Sequence, residues 1–424
     1  MQQLSERLNQ LEFPANVVRL DNGLTVIHQY LPATPVVVTD IWIKAGASAE
    51  PEEWSGMAHF LEHMIFKGSP RVATGEFDWV IEQNGGIANA ATSHDYAHFF
   101  LTTAESYVSE TLPYLADILL HASIPDEEFH RERDVVLEEI RSSYDDPDWI
   151  GFQALCQNIY QHHPYKRSIL GEEELLLQHT PHQMRCFHRT HYQPENMTVV
   201  MIGGIDQKVA LSLVEEAFAE FSVRSECPPH SIEAEPPLID IRRQELQLPR
   251  IEQARLAMAW LGAGSDCLVD GIGLDLLSVI LAGSRCSRLV RELREEEQLV
   301  LDITSEFSLQ RDSSLFTISA WLESDNLQEV EKNICDRIYQ LQNQPLSETE
   351  LARAKRLLCN DYIFSTETPG QLAGIYGYYN TIATAEQALN YTKTINQLTA
   401  NELQRIANQY LSPERYAITT LVPC

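Results

Sequence analysis

Two stretches of similar sequence decide how the chain is organised: VVVTDIWIKAGAS at positions 36–48 and ARLAMAWLGAGSD at positions 254–266. Both have the alternating apolar residues that are typical of β-strands, and both contain the pattern Trp-x-x-Ala-Gly, beginning at Trp42 and at Trp260. In each half an apolar helical segment follows and ends in Gly-Ser. Repetition on the scale of half of the 424-residue chain predicts a duplicated domain.

A proline-rich stretch, VRSECPPHSIEAEPPLIDIRRQEL, separates the two halves and has no apolar periodicity. Such composition is typical of an extended linker. We therefore predict an N-terminal domain over 1–222, a linker over 223–246 and a homologous C-terminal domain over 247–424, the last without a metal motif. In the first half strands and helices mix without strict βαβ alternation, which favours an α+β sheet covered by helices on one face.

The apolar patterns of the first half also give element boundaries. They predict strands near 16–20, 24–30 and 36–44, and helices over 55–66, 74–84, 106–122 and 126–143.

Charge is the one unusual feature of the composition, because 31 basic against 61 acidic residues give a net charge of -30. Such a chain repels nucleic acid and anionic membranes, so neither is expected as a partner. The acidity serves either solubility alone or the attraction of basic peptides, and the sequence leaves both open.

Three further features of the sequence indicate the compartment in which the protein is found. No apolar run reaches the ~18 residues of a membrane-spanning helix, and the start, MQQLSERLNQLEF, has neither a secretory nor a transit pattern. A cytoplasmic location is therefore expected. The eight cysteines are scattered without a Cys-x-x-Cys pair, so no disulfide framework and no thiolate metal site is predicted.

The segment AHFLEHM at 58–64 places His59 and His63 one helical turn apart, close enough to bind the same ion. Glu62 points into the same sector of the predicted helix. The order His-x-x-Glu-His reverses that of thermolysin-type enzymes. Taken alone, the pattern fits two ordinary helix histidines as well as it fits a metal site.

A catalytic zinc has three protein ligands and an open position, so a third ligand must come from elsewhere. The predicted helix over 126–143 offers Glu132 and Glu139, which are seven residues apart and share a face with apolar Val135. Glu138 falls instead on a charged, solvated face. Because an unpaired carboxylate on an apolar face is costly, Glu139 is predicted to be the ligand and Glu138 a surface residue.

These segments together resemble the pitrilysin family of zinc peptidases. The resemblance rests on HFLEHMIFKGS (59–69), NGGIANAATSHDYAHF (84–99) and ERDVVLEEI (132–140), and it extends to GSRCSRLVRELREEEQLV (283–300) in the second half. The chain is most similar to the shorter branch, which includes the β subunit of mitochondrial processing peptidase and bacterial relatives. The resemblance implies two homologous α+β domains, each an antiparallel sheet of about six strands with helices packed on one face.

The family places its glutamate ligand about 76 residues after the histidine motif, where Glu139 stands. The resemblance therefore implies one zinc ion per chain, bound by His59, His63 and Glu139, and an endopeptidase that cleaves peptides or unfolded segments with Glu62 as general base. Glu132 matches a second acidic position of the family and is expected to orient a histidine ligand. A plain glutamate on a helix face is the alternative for Glu132.

Substrate and partner expectations also follow from the resemblance. The family adds its peptide substrate to the edge strand that corresponds here to 86–92, so Asn89 and Ala90 are expected to contact it. Tight packing would explain the small residues there equally well.

Single-chain members of the family carry an arginine and, seven residues later, a tyrosine that together bind substrate. Arg294 matches the arginine, but Leu301 stands at the tyrosine position, and leucine cannot hydrogen-bond a carbonyl. We therefore predict a heterodimer with a homologous chain that supplies the arginine–tyrosine pair, and otherwise a homodimer. A non-catalytic core subunit derived from the same family is the alternative.

Overall fold

The computed structural model describes residues 14–228 and 232–424. The first 13 residues, on which the expectation about export signals rests, lie outside the described residues. Eleven strands are described: β1 (Asn16–Arg19), β2 (Thr25–Tyr30), β3 (Val36–Ile43), β4 (Ile87–Thr92), β5 (Ala97–Ala104), β6 (Met197–Gly203), β7 (Arg242–Leu248), β8 (Ala254–Gly262), β9 (Asp302–Ser308), β10 (Ser314–Leu322) and β11 (Ala417–Pro423).

The helices lie between these strands, together with several single 3₁₀ turns and a π-helix at Val290–Glu296. The α-helices are α1 (Met57–Ile65), α2 (Glu76–Gln83), α3 (Val108–Leu120), α4 (Asp126–Ser143), α5 (Pro147–Ile159), α6 (Glu173–Leu176), α7 (Pro181–His191), α8 (Gln207–Ala217), α9 (Leu268–Ala282), α10 (Leu327–Asn343), α11 (Glu348–Phe364), α12 (Pro369–Ile382), α13 (Gln387–Gln397) and α14 (Ala400–Tyr410). No helix among the described residues combines the length and the hydropathy needed to cross a lipid bilayer.

Two sheets share one topology. The first has the order β1-β2-β6-β3-β5-β4 and the second the order β7-β11-β8-β10-β9. Without β1 the two orders correspond strand by strand, and the parallel pair β2–β6 corresponds to the parallel pair β7–β11. The predicted fold of two homologous, layered domains is confirmed, except that each sheet contains one parallel pair and is not antiparallel throughout.

The chain folds into two compact units that exchange segments of sequence. The first unit comprises the described residues up to Arg141, 168–228 and Ser365–Leu389; the second comprises Ser142–Arg167, Ile232–Phe364 and Asn390–Cys424. The sequence predicted two domains that are each continuous in the chain, and it did not predict this exchange of segments.

The exchanged segments contain helices α5 and α12, and these helices explain why the central strands are buried on both faces. In the first unit the main core lies on one face of the sheet, and α12 packs on the other, where Ala373 and Tyr376 contact a cluster that includes Val38 and Trp42. Every residue of β6 is buried as a result. In the second unit α5 packs on β8 and β11 in the same way. The prediction of helices on one face alone was therefore incomplete.

The predicted linker is shorter than expected. Its described residues before Arg242 have no regular structure, but 242–246 belong to β7, an edge strand paired with β11. The sequence of β7, RRQELQL, is mostly polar because an edge strand is only partly covered. Because the strand is so polar, its hydropathy pattern does not identify it as a strand.

The Trp-x-x-Ala-Gly pattern has the same structural cause in both units. A Cβ atom on Gly46 would lie 2.1 Å from the carbonyl oxygen of Ser93, in the turn between β4 and β5. A Cβ atom on Gly264 would lie 2.7 Å from the carbonyl oxygen of Asp312, in the turn between β9 and β10. In both units the residue after the glycine donates its N–H to a carbonyl of that turn at 3.0 Å. The glycine is needed because two backbones approach closely.

We expect Gly46→Ala and Gly264→Ala each to lower the free energy of unfolding by about 1–3 kcal/mol or more, since backbone must move to make room for the methyl group. The measurement is urea unfolding followed by circular dichroism. Gly374→Ala in α12 is the control, because a Cβ atom there meets no heavy atom within 4 Å. That variant should be neutral or more stable by up to about 1 kcal/mol. Unchanged unfolding of Gly46→Ala would contradict the packing argument.

Candidate metal centre

Helix α1 carries both histidines and is fixed at its first turn by a buried acid. It begins after Gly56, whose φ of 86° is in the left-handed region. The buried carboxylate of Glu50 accepts hydrogen bonds from the N–H groups of Gly56 at 3.0 Å and Ala58 at 2.7 Å. Glu50 therefore satisfies N–H groups that the helix leaves without partners, and its charge suits the helix N-terminus.

Three possible metal ligands lie together. The Oε2 atom of Glu139 is 3.7 Å from Nε2 of His59 and 3.5 Å from Nε2 of His63. All three potential ligand atoms lie within 4.8 Å of one another. In a tetrahedral site with bonds of about 2.0–2.2 Å, neighbouring donor atoms are about 3.3–3.6 Å apart. The two separations between imidazole and carboxylate are close to these values, and the donor types are those that zinc uses. Within residues 14–228 and 232–424 no other group of three such side chains is this close.

The structure separates the two neighbouring glutamates of α4. Glu138 lies 3.4 Å from Arg141 and its side chain is 68% exposed, whereas Glu139 faces the histidines. The reason given from the sequence was wrong, however, because the Glu139 side chain is 43% exposed and Val135 is 51% exposed. What places Glu139 is the packing of α4, whose residue Phe129 contacts Phe60 of α1 with ring centroids 4.6 Å apart.

Glu132 lies where a residue that orients a histidine would be expected. Its Oε1 accepts a hydrogen bond from Nδ1 of His63 at 3.0 Å, and its Oε2 contacts Nζ of Lys67 at 2.6 Å. With its Nδ1–H engaged, His63 has only Nε2 left to share a proton or a metal ion with Glu139. Lys67 was not singled out from the sequence, and it lies in the turn that follows α1. His59 is held by burial instead, and its Nδ1 makes no hydrogen bond to any described residue.

The electrostatics of the centre favour a bound cation. Burial lowers the pKa of His59 to about 4, so its imidazole is neutral near pH 7. Burial would also lower the pKa of His63, but hydrogen bonds to Glu132 and Glu139 outweigh it and raise that pKa to about 9. Hydrogen bonding to His63 in turn lowers the pKa of Glu139. Glu132 and Glu139 therefore stabilise a positive charge beside His63, which can be a proton or a metal ion.

Glu62 lies beside this group but does not belong to it. Its Oε2 accepts a hydrogen bond of 2.6 Å from Oγ1 of Thr92, at the end of β4. Burial raises the pKa of Glu62 although this hydrogen bond acts in the opposite direction. Sequence reasoning did not assign a role to Thr92, because the placement of β4 beside α1 cannot be read from local patterns.

The residues predicted to bind substrate lie in two places. Asn89 and Ala90 are on β4, which among the described strands pairs with β5 alone and so forms one edge of the first sheet. The side chain of Asn89 is exposed and its Oδ1 accepts a hydrogen bond from the N–H of Ala90 at 2.9 Å. Arg294 belongs to the π-helix of the second unit and pairs with Asp302 at 2.9 Å, while Leu301 is 55% exposed.

Comparison with known proteins places this geometry in a family. Residues 25–173 match the family model described as insulinase (peptidase family M16), and residues 179–358 match the model described as peptidase M16 inactive domain. An uncharacterized zinc protease of Bacillus subtilis is 27% identical over 95% of this chain and 97% of the relative. The probable mitochondrial-processing peptidase subunit beta of Arabidopsis thaliana is 26% identical over 96% of this chain and 78% of the relative.

Solved structures agree with these relatives. The crystal structure of a protease from Helicobacter pylori is 26% identical and has a TM-score of 0.90, covering 97% of this chain and 100% of that chain. A putative M16-like peptidase from Alicyclobacillus acidocaldarius, at 21% identity and a TM-score of 0.86, shares the fold. The family expected from the sequence is confirmed, and this chain belongs to the M16 peptidase family, which is that of insulinase and pitrilysin.

Proposed function

We propose that the chain is a zinc-dependent endopeptidase that hydrolyses peptides or unfolded segments. The observation that carries the proposal is the grouping of His59, His63 and Glu139. A fourth residue, Glu62, lies beside them and is not one of the three candidate ligands. Relatives over most of the chain are named zinc proteases, which supports the same conclusion.

The proposed metal ligands are His59, His63 and Glu139, one zinc ion per chain. Neutral imidazole nitrogens and a carboxylate oxygen are the donors that catalytic zinc sites use. A zinc ion bound there supplies a Lewis acid that polarises the scissile carbonyl and lowers the pKa of a bound water to ~7. Glu132 keeps His63 in the tautomer that this binding requires.

Glu62 is the proposed general base. The hydrogen bond from Thr92 occupies its Oε2, and among the described residues Glu62 makes no other, so Oε1 is left to take a proton from the attacking water. The same carboxyl group then gives that proton to the leaving amine nitrogen, which completes the proton balance of peptide hydrolysis. Thr92 fixes the carboxylate for both transfers.

The proposed substrate is an extended peptide that pairs with the free edge of β4. An edge strand presents unpaired N–H and C=O groups that a second backbone can use. The exposed Asn89 and the small Ala90 lie on that strand, where a peptide backbone can approach closely. The net charge of -30 favours basic peptides over acidic ones.

We further propose that the active form is a heterodimer, with a homodimer as the alternative. Leu301 cannot donate the hydrogen bond expected of the family's tyrosine, and the guanidinium of Arg294 is paired with Asp302 and Glu295. A homologous partner that supplies an arginine–tyrosine pair would provide the missing donor. The same leucine is the one feature in favour of a second candidate function, that of a non-catalytic core subunit.

Glu139→Gln is expected to lower zinc content at least tenfold, because it replaces an anionic ligand by a neutral amide. Zinc is measured by mass spectrometry of the purified protein after gel filtration. Glu138→Gln is the matched control, since Glu138 is the preceding residue, has the same charge and has an exposed side chain. This variant should bind zinc normally. Equal zinc content in the two variants would exclude Glu139 as a ligand.

Glu62→Gln should bind zinc as the wild type does but lose at least a hundredfold in kcat on an unfolded peptide, because general base catalysis contributes about 10²–10⁴-fold. Zinc content and unfolding temperature, measured in parallel, control for misfolding. Glu138→Gln again serves as the matched variant with unchanged turnover. If the wild type is inactive with every partner while binding zinc fully, the non-catalytic function is favoured instead.

The heterodimer predicts that the purified chain alone cleaves peptide at least tenfold more slowly than the complex isolated from its native cell. Activity is assayed on the same unfolded peptide, and the composition of the complex is read by native mass spectrometry. Full activity of the chain alone would defeat the heterodimer, and a complex containing this chain only would favour the homodimer.

A further inference from the structure

The second unit contains a polar cavity of about 600 Å³ that is unrelated to the proposed metal ligands. It lies between the start of the π-helix, α10 and the N-terminal turn of α11. Four arginines line it: Arg288, Arg291, Arg337 and Arg353. Such a concentration of positive charge is unusual in a chain of net charge -30.

Three glutamates neutralise three of these four arginines. The pairs are Arg288 with Glu350, joined by two contacts of 2.8 Å, Arg337 with Glu292, also joined by two contacts, and Arg291 with Glu296 at 3.6 Å. Arg353 is different. Within the part of the chain that the structure describes, it has no carboxylate within 4.0 Å, and its buried Nε has no hydrogen-bond partner. The cavity therefore carries one surplus positive charge.

An unpaired guanidinium that is partly withdrawn from water is unfavourable until an anion joins it. The like charges are close enough to interact, because burial together with Arg288 and Arg291 lowers the pKa of Arg337. An anion between them would relieve this repulsion and give Arg353 a partner.

The N-terminus of α11 adds a second attraction for anions. Ser347 caps the helix by accepting a hydrogen bond from the N–H of Glu350 at 3.2 Å, and Thr349 in the first turn lines the cavity. The positive end of this 17-residue helix lies at the cavity, and its first turn also carries Glu348 and Glu350. Arginine forks combined with a helix N-terminus are a typical setting for phosphate.

We propose that this cavity binds a small molecule that carries a phosphate group. The phosphate lies between Arg353 and the first turn of α11, and Arg337 and Arg291 provide further charge. A volume of about 600 Å³ is within the range of small-molecule sites, ~300–1,000 Å³, and exceeds what inorganic phosphate alone would fill. A phosphate ester therefore fits better than the free ion.

The test is isothermal titration calorimetry of the full chain with inorganic phosphate and with phenyl phosphate, at constant ionic strength. Saturable binding of phenyl phosphate is expected, at least threefold tighter than that of inorganic phosphate. Arg353→Gln should weaken binding at least tenfold. Arg250→Gln is the matched control, because it removes an arginine from an exposed pair with Asp145 outside the cavity, and it should bind as the wild type does.

Two further measurements keep the result independent of misfolding. Glu296→Gln raises the surplus charge of the cavity and should strengthen binding about threefold, which a damaged protein cannot do. Cys286 lines the cavity and is exposed, as is Cys267 elsewhere. Phenyl phosphate should slow the alkylation of Cys286 by N-ethylmaleimide severalfold but leave Cys267 unchanged, as quantified by peptide mass spectrometry.

The inference is overturned if neither phosphate compound binds saturably, or if Arg353→Gln binds as tightly as Arg250→Gln. Tighter binding of inorganic phosphate than of phenyl phosphate would overturn the assignment to an ester. None of these results depends on zinc or on peptide cleavage, so the inference and the proposed peptidase function stand or fall separately.

Discussion

The contact between helices α1 and α4 is the constraint on which the rest of the site depends. The histidines are on one helix and the Glu139 carboxylate is on the other, so three donor atoms converge only while the helices keep their separation. The Phe60–Phe129 contact and the buried Val136 set that separation, and the Glu50 carboxylate fixes the start of α1. Rigid supports of this kind matter because catalytic groups tolerate displacements of only about 0.5 Å.

A second line of contacts joins the proposed base to the proposed peptide site. Thr92 is the last residue of β4, and its hydroxyl holds the carboxylate of Glu62. The free edge of the same strand is where an extended peptide would pair. A shift of β4 on peptide binding would therefore be felt at Glu62 through one hydrogen bond. One hydrogen bond thus links β4 to Glu62 of helix α1 within the first unit.

Local patterns in the sequence predicted some of this and not the rest, for physical reasons. The bounds of α4 match the prediction, and the choice of Glu139 over Glu138 agrees with the geometry although its stated cause, burial, did not hold. Helical periodicity is local, so it can place His59 beside His63. The hydrogen bond between Thr92 and Glu62, the parallel pairs of strands and the exchange of α5 and α12 depend on long-range packing. No short stretch of sequence encodes them.

The exchange of α12 has a consequence for how the protein is made. Ile27, Val38 and Val200 are synthesised long before α12, which packs over the same apolar cluster. On the ribosome this face of the sheet stays bare while more than 150 further residues are added between Gly203 and Pro369. A truncated product ending near residue 222 would present that bare face permanently and would tend to self-associate. During this long interval, chaperone binding or aggregation of the nascent chain competes with completion of the fold.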